Sequence, residues 1–401
     1  MNSSKMAKTN NILPIFFIFL MMILSAICDS VRGIFIPVFR KDFSINNTSI
    51  GIMLTSASLG YIVCTYIGGV LCEKIGQKKV FSLGYIFVIL SLLVLCISPS
   101  FLVLLCGIFF LNVGQSLMGI ATNTLVPVLF LSFQAILMNL THFCYGLGSA
   151  FAQRFAGIML YRGVTWRRIY FMVAILAIIM FVFFIFVKMP EPHKVTNNFK
   201  IDKKKIFKDK LIYFYIFAIG FYVFAETGTG NWFINFMEKS YNYNKSQSSF
   251  YIAIFFAVFA IGRFIGGFII EKTGYINTVL VSSVFALISY SLGLMLGESG
   301  LIIISIAGFF FSIVFPTIIL TISKVFDENS AYVTGIIVTF GSAISMIMNQ
   351  FMGYLNDRIN LYAAYWLIPI SLVISIAFIY LIYINTKDKL RKKSNRLTSA
   401  V

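Results

Sequence analysis

Ala225-Glu226-Thr227-Gly228-Thr229-Gly230-Asn231-Trp232 sits within an apolar run from Leu211 to Met237 that is long enough to span a bilayer. Glu226 is fifteen residues into that run, far from either end. An ionised side chain at such depth costs on the order of several kcal/mol. The two glycines after it each weaken a helix by about 1 kcal/mol relative to alanine. They are expected to break the helix here and to leave backbone groups that something else must satisfy. A polar residue beside a broken membrane helix is an arrangement that holds a solute at the middle of a bilayer.

Apolar residues make up 59% of the chain and charged residues 11%, where a soluble domain carries about 25% charged. The chain therefore reads as a polytopic membrane protein. Its first apolar run, Ile12 to Ile27, leads to Asp29 and Arg32 and not to a small-residue cleavage site, so it reads as a membrane span and not as a signal peptide. Twelve such runs lie at 12–36, 49–72, 79–97, 101–126, 132–160, 167–188, 211–237, 247–271, 277–297, 300–325, 330–354 and 362–384. Loops within each set of six are short. The one long interruption carries Lys203, Lys204 and Lys205. The expected organisation is a six-helix bundle over 1–188, a cytoplasmic linker over 189–210, a second six-helix bundle over 211–386 and a basic tail over 387–401.

A net charge of +18 would suggest nucleic acid in a soluble protein, so its placement decides its meaning. With the amino terminus inside, 21 of the 32 Lys and Arg fall in cytoplasmic segments and eight in outer loops, while Arg32, Arg154 and Arg263 fall within spans. This is the positive-inside bias, and it places both termini in the cytoplasm of a plasma-membrane protein. The charge is accounted for by topology and the lipid bilayer, without nucleic acid. The six cysteines lie within or beside spans with no metal-ligand or redox spacing, and read as small buried apolar residues. No phosphate-cradling loop, metal cluster or nucleophile-base pair is present, so neither an enzyme, a cofactor nor a metal is expected.

The two halves repeat. Gly68-Gly69-Val70-Leu71-Cys72-Glu73-Lys74-Ile75-Gly76 aligns with Gly266-Gly267-Phe268-Ile269-Ile270-Glu271-Lys272-Thr273-Gly274 at a spacing of 198, with five identities in nine. The same shift carries Asp29 to Thr227, next to Glu226. The two acidic residues deep within spans thus occupy equivalent places in the first helix of each half, as in a rocker-type carrier.

The pattern from Gly69 to Lys78 resembles the signature loop of the major facilitator superfamily, and it recurs in weaker form between spans 8 and 9. A closer resemblance is to the fucose permease branch, which includes proton-coupled fucose and glucose carriers. It is carried by Gly33-Ile34-Phe35-Ile36-Pro37, Tyr145-Gly146-Leu147-Gly148-Ser149-Ala150, Trp166-Arg167, Glu226 with Trp232, and Gly262-Arg263-Phe264-Ile265-Gly266-Gly267. The resemblance implies an all-α membrane protein with twelve transmembrane helices in two pseudo-symmetric six-helix bundles. It implies a monomeric proton symporter for a small polar solute, a hexose or a related sugar. Several members of that branch carry a glutamate in span 4 shortly before an Asn. Here Asn123 would be that Asn, and Gly119 stands in the acidic place, so proton coupling falls to Asp29 or Glu226.

Polar side chains at helical spacing mark candidate cavity walls. Span 4 carries Asn112, Gln115, Gly119 and Asn123 on one face, span 5 Asn139, His142, Gly146, Ser149 and Gln153, and span 11 Ser342, Ser345, Asn349 and Gly353. Amides pair with sugar hydroxyls, although small and amide residues also join helices in membranes. Asn112, Gln115, Asn123, His142, Asn231, Trp232 and Asn349 are the candidate solute-binding residues. Trp232 can offer a face to a sugar ring or sit in an interfacial aromatic belt, and His142 can respond to a cavity or simply pack.

Glu226 is the leading proton-coupling residue, because burial disfavours a carboxylate's charge and lets it load a proton on one side and release it on the other. Its other reading is a structural partner for Arg154 or Arg263. Asp29 is the second coupling candidate, although Arg32 one turn on, or Arg154, could hold it in a gate. Arg32, Arg154, Arg263, Glu73, Lys74, Gly76, Lys78, Glu271 and Lys272 are expected to latch helices as conformational locks. The expected cycle is proton symport with alternating access. An exporter of drugs or metabolites, an uncoupled facilitator and a non-transporting sensor are the rival classes. The 44 phenylalanines leave room for the first, and a sensor ought to carry a soluble domain that is absent from the span map.

Overall fold

The computed structural model describes residues 12–45, 47–129, 133–189, 203–243, 245–326, 329–359 and 361–398, and every regular element among them is helical. Six long helices come first: α1 (Ile12–Asp42), α2 (Asn47–Ile75), α3 (Gln77–Ile97), α4 (Phe101–Leu129), α5 (Gln134–Tyr161) and α6 (Trp166–Phe186). After a short helix, Lys203–Lys208, come α7 (Lys210–Tyr241), α8 (Lys245–Thr273), α9 (Tyr275–Met295), a two-piece α10 (Leu301–Phe311 and Val314–Val325), α11 (Ser330–Arg358) and α12 (Leu367–Thr398). Among the described residues, eleven helices are long and apolar enough to cross a membrane. The remaining one, α5, is as long, but Gln134, Asn139, His142, Gln153 and Arg154 lower its hydropathy.

The chain divides into two compact units. One comprises Met1–Leu129 with Thr141–Phe199, the other Phe130–Leu140 with Lys200–Val401. The first turns of α5 therefore group with the second unit, which the span map did not anticipate. Residues 190–202, most of the expected linker, lie outside the described residues, as do the side chains of Lys203, Lys204 and Lys205.

In the first unit, α3 and α4 touch through their backbones. A Cβ on Gly114 would lie 2.6 Å from the Gly84 carbonyl oxygen, and one on Gly84 2.8 Å from that of Gly114. Lipid offers no hydrophobic drive between helices, so such close approach supplies the packing energy. Phe17, Phe81, Tyr85 and Phe184 stack around the near ends of α1, α3 and α6, and the Tyr85 hydroxyl donates to Met21 Sδ at 2.9 Å. At the far end of α1, Trp166 Nε1 donates to Asp42 Oδ2 at 2.7 Å while Arg167 lies on the Trp166 ring and donates to the Ser98 carbonyl. Of the six cysteines, all free thiols, Cys28, Cys72 and Cys144 are buried, Cys64 and Cys96 are half-buried and Cys106 is exposed, so the buried reading holds for three of the six.

In the second unit the expected break in α7 is not found. The helix runs unbroken from Lys210 to Tyr241 through Gly228 and Gly230. The break lies in α10, between Phe311 and Val314. Pro316 explains it: proline has no N–H for the carbonyl four residues back, and its ring crowds that carbonyl. That carbonyl belongs to Ser312, and it accepts instead from Arg263 Nε at 3.3 Å. Phe310 and Phe311 are among the last four residues of the first piece, where helix carbonyls turn to side-chain donors. Ser282 Oγ of α9 donates to the Phe310 carbonyl at 2.8 Å, and the Tyr222 hydroxyl of α7 donates to that of Phe311. Three helices thus supply side-chain donors to the broken one.

The internal repeat is visible in backbone angles. Gly76 and Gly274, 198 residues apart, precede α3 and α9 with φ 87°, ψ 154° and φ 90°, ψ 152°. A Cβ at either would meet nothing within 4 Å, so conformation and not space demands glycine. Side-chain-bearing residues avoid this region at a cost of about 1–3 kcal/mol. Gly76→Ala and Gly274→Ala should each lower the melting temperature of the detergent-purified protein. Gly157→Ala, on a regular helix with open space at its Cβ, should leave it unchanged or raise it. Equal melting points for all three variants would contradict this account of the turns.

Candidate functional site

The site builds up from α7. Thr227 and Thr229 bend their hydroxyls back to the Val223 and Ala225 carbonyls, both at 2.8 Å, which satisfies these polar groups inside an intact apolar helix. Thr229 also meets the Tyr290 hydroxyl of α9 at 2.9 Å. Thr227 and Asn231, one turn apart, face α11. Thr227 Oγ1 lies 3.2 Å from Ser345 Oγ and accepts from Asn349 Nδ2 at 3.1 Å. Asn349 Nδ2 also reaches the Ser345 carbonyl at 3.0 Å, and Asn231 Nδ2 donates to Asn349 Oδ1 at 3.3 Å. Asn231 is exposed, and Asn349 and Trp232 are half-buried. The Trp232 ring rests against Gly353, where a Cβ would lie 3.3 Å from it.

Glu226 turns toward α8. Its Oε1 stands 3.8 Å from Arg263 Nη2, with 22% of the Glu226 side chain and 11% of the Arg263 side chain exposed. The Arg263 guanidinium lies 4.3 Å from the centre of the Phe259 ring. Cation–π contact and the Ser312 carbonyl hold it in place, with the carboxylate alongside as its counter-charge. Of the two partners weighed for Glu226, the structure places Arg263 beside it. The Arg154 side chain lies outside the described residues, as does that of Gln153.

Asp29 organises a comparable group in the first unit. Its Oδ1 pairs with Arg32 Nη2 at 3.1 Å one turn along the same helix, and its Oδ2 accepts from the Tyr145 hydroxyl of α5 at 3.0 Å. Beside it, Ser30 Oγ and Ser149 Oγ lie 2.6 Å apart, and Gln115 Nε2 of α4 donates to the Ser25 carbonyl of α1 at 2.9 Å. Among the other candidates, Asn112 is buried and donates to the Ile108 carbonyl of its own helix, while Asn123 and His142 are half-buried. A Cβ on Gly119 would lie 3.8 Å from the Tyr61 hydroxyl.

The expected locks are dispersed. Lys78 Nζ donates to the Val187 carbonyl at 3.0 Å and lies 5.9 Å from the Phe184 ring, tying α3 to the end of α6. Glu271 Oε1, within the second unit, accepts from the Ala135 N–H at 2.8 Å. Glu73 is half-buried, Lys74 and Lys272 are exposed, and Gly76 forms the turn described above. Sequence reasoning missed Tyr222 and Pro316, and met Tyr145 only as part of a family-like stretch and not as a partner of Asp29. Pro316 carried a readable signal, since a proline within an apolar helical run marks a break. Tyr222 carried none, because aromatic residues are common throughout the spans.

Residues 18–349 match the Major Facilitator Superfamily. A protein of Buchnera aphidicola named TsgA homolog is 22% identical over 378 residues, covering 92% of this chain and 95% of that one. A putative glucose/galactose transporter of Helicobacter pylori is 27% identical over 145 residues, 36% of this chain and 34% of the relative. A crystal structure of an E. coli FucP variant, a fucose:proton symporter, superposes with a TM-score of 0.80 at 17% identity, covering 93% of this chain and 99% of that one. At that identity the likeness speaks for the fold, which is the twelve-helix arrangement of two pseudo-symmetric bundles. With the family matched over most of its length and the fold matched over nearly all of it, the chain belongs to the Major Facilitator Superfamily, as a multi-pass membrane transporter and not an enzyme.

Proposed function

We propose that this transporter carries a hexose or a related sugar across the plasma membrane by proton-coupled symport with alternating access, as a monomer with both termini in the cytoplasm. The observation that carries the reading is the Asn231–Asn349–Thr227 cluster with Trp232 at its side, one residue along α7 from the Glu226–Arg263 pair. Amide and hydroxyl groups supply both donors and acceptors, and a half-buried indole offers an apolar face, which is the combination that a sugar ring needs. The glucose/galactose transporter and the fucose:proton symporter among the similar proteins support the same class of solute. Glu226 is the proton-carrying group and Asp29, held by Arg32 and Tyr145, a gating one.

Two variants test the assignment in proteoliposomes. Glu226→Gln should lose uphill accumulation driven by a proton gradient yet keep counterflow exchange, which needs no coupling. Asp29→Asn should slow both together, because it disturbs the α1–α5 contact. If Glu226→Gln still concentrates solute to a level that a protonophore abolishes, the coupling role belongs elsewhere. Asn349→Ala removes two donated hydrogen bonds and the acceptor for Asn231, and should raise the apparent KM by about tenfold with little change in maximal rate. An unchanged KM would remove the amide cluster from the binding site.

A further inference from the structure

Arg263 and Glu226 carry more information than a coupling role alone. A guanidinium within a membrane span needs a compensating anion, and Glu226 supplies it. The separation of 3.8 Å is longer than the 2.7–2.9 Å of a charge-assisted hydrogen bond, so the carboxylate neutralises Arg263 without clamping it. The guanidinium stays in place for other reasons, the Ser312 carbonyl and the Phe259 ring. Partial exposure of both side chains leaves the pair open to exchange.

Coupling requires that proton binding and solute binding favour one another in free energy. Protonating Glu226 removes the anion beside Arg263. A neutral sugar does nothing to restore it. A solute that brings its own carboxylate does, so each of the two ligands strengthens the other. Around Glu226 the titratable groups are Tyr222 on its own helix and Arg263 on α8. From α11 this stretch of α7 meets Ser345 and Asn349, which do not titrate, and from α9 the Tyr290 hydroxyl, which contacts Thr229.

We propose that the solute is a sugar acid, whose carboxylate takes the position beside Arg263 when Glu226 is protonated, so that one proton and one anion move together with no net charge. This rests on the sugar-carrier reading above and narrows it. Binding to the purified full-length protein would be measured with D-glucose against D-glucuronate, and D-galactose against D-galacturonate, pairs that differ only at C6. The acid of one pair should bind about tenfold or more tightly than its neutral partner. Its uptake into proteoliposomes should respond to a pH gradient and not to an imposed membrane potential. Glu226→Gln should keep acid binding and lose its dependence on pH, and Arg263→Gln should lose the preference for acid. Glu226→Ala, which also vacates space beside Arg263, provides a second readout if the glutamine variant folds poorly. Binding of the neutral sugar with exclusion of its acid would overturn this proposal and leave the sugar carrier standing. Acid uptake that follows the membrane potential, or an acid preference kept by a folded Arg263→Gln, would overturn it equally. Failure of all four compounds to bind the unmodified protein would remove both readings at once.

Discussion

The carbonyl of Ser312, left without a backbone donor by Pro316, is the constraint on which the second unit is built. A proline inside a helix costs about 3 kcal/mol, and nothing in the helix itself recovers the lost hydrogen bond. The first piece of α10 also ends there, and the carbonyl end of a helix carries partial negative charge. A guanidinium suits that position better than a neutral donor, and Arg263 fills it. Once a cation is fixed inside a membrane helix bundle, an anion must be near it. Glu226 is that anion. A single backbone irregularity in α10 thus sets the place of a charge on α8 and, through it, of a carboxylate on α7, while Ser282 and Tyr222 satisfy the neighbouring carbonyls.

The break lies in α10 while α7 is a continuous rod, so the two polar faces of α7 keep a fixed angular relation. Residues 226 and 230 look toward α8, where they meet Arg263 and Phe256. Residues 227 and 231 look toward α11, where they meet Ser345 and Asn349. Adjacent positions on a helix differ by about 100°, so the charged pair and the amide cluster are neighbours along the chain without being in contact. A rigid helix transmits a shift at Glu226 to Thr227 with little loss. A helix broken at Gly228, as the glycines suggested, would have divided each face, parting Glu226 from Gly230 and Thr227 from Asn231.

The fold and its repeat were legible because they depend on properties that a sequence displays directly. Span length needs only an apolar run, and the repeat is written in the identities from Gly68 to Gly76 and Gly266 to Gly274, which the matched angles at Gly76 and Gly274 express in the backbone. The candidate site was legible in part. Glu226, Asn231 and Asn349 stand out as polar residues in apolar helices, but which of them touch depends on helix packing that no periodicity encodes. The glycines of α7 misled because a propensity cost of this size is overridden by packing, here the contacts of Thr227 with Asn349 and of Thr229 with Tyr290. Pro316 was readable and its consequence was not, since the identity of the group that meets Ser312 depends on which helix lies alongside.

The two carboxylates also show that equivalent position does not bring equivalent physics. Asp29 pairs with Arg32 on its own helix, and 41% of its side chain is exposed, so water screens the pair and its partner moves with it whatever α1 does. Across to α5 in the same unit it accepts from the Tyr145 hydroxyl, a hydrogen bond that can be remade with solvent. Glu226 has its cation on a different helix, less water around it, and a partner whose other bond closes the gap in α10. A change of charge at Asp29 is met by a partner on its own helix, while one at Glu226 removes the anion beside a cation that is anchored on α8 and α10. That asymmetry, set by where each arginine is anchored and not by where each acid sits in the repeat, is the physical reason to assign the coupling role to the second unit and the gating role to the first.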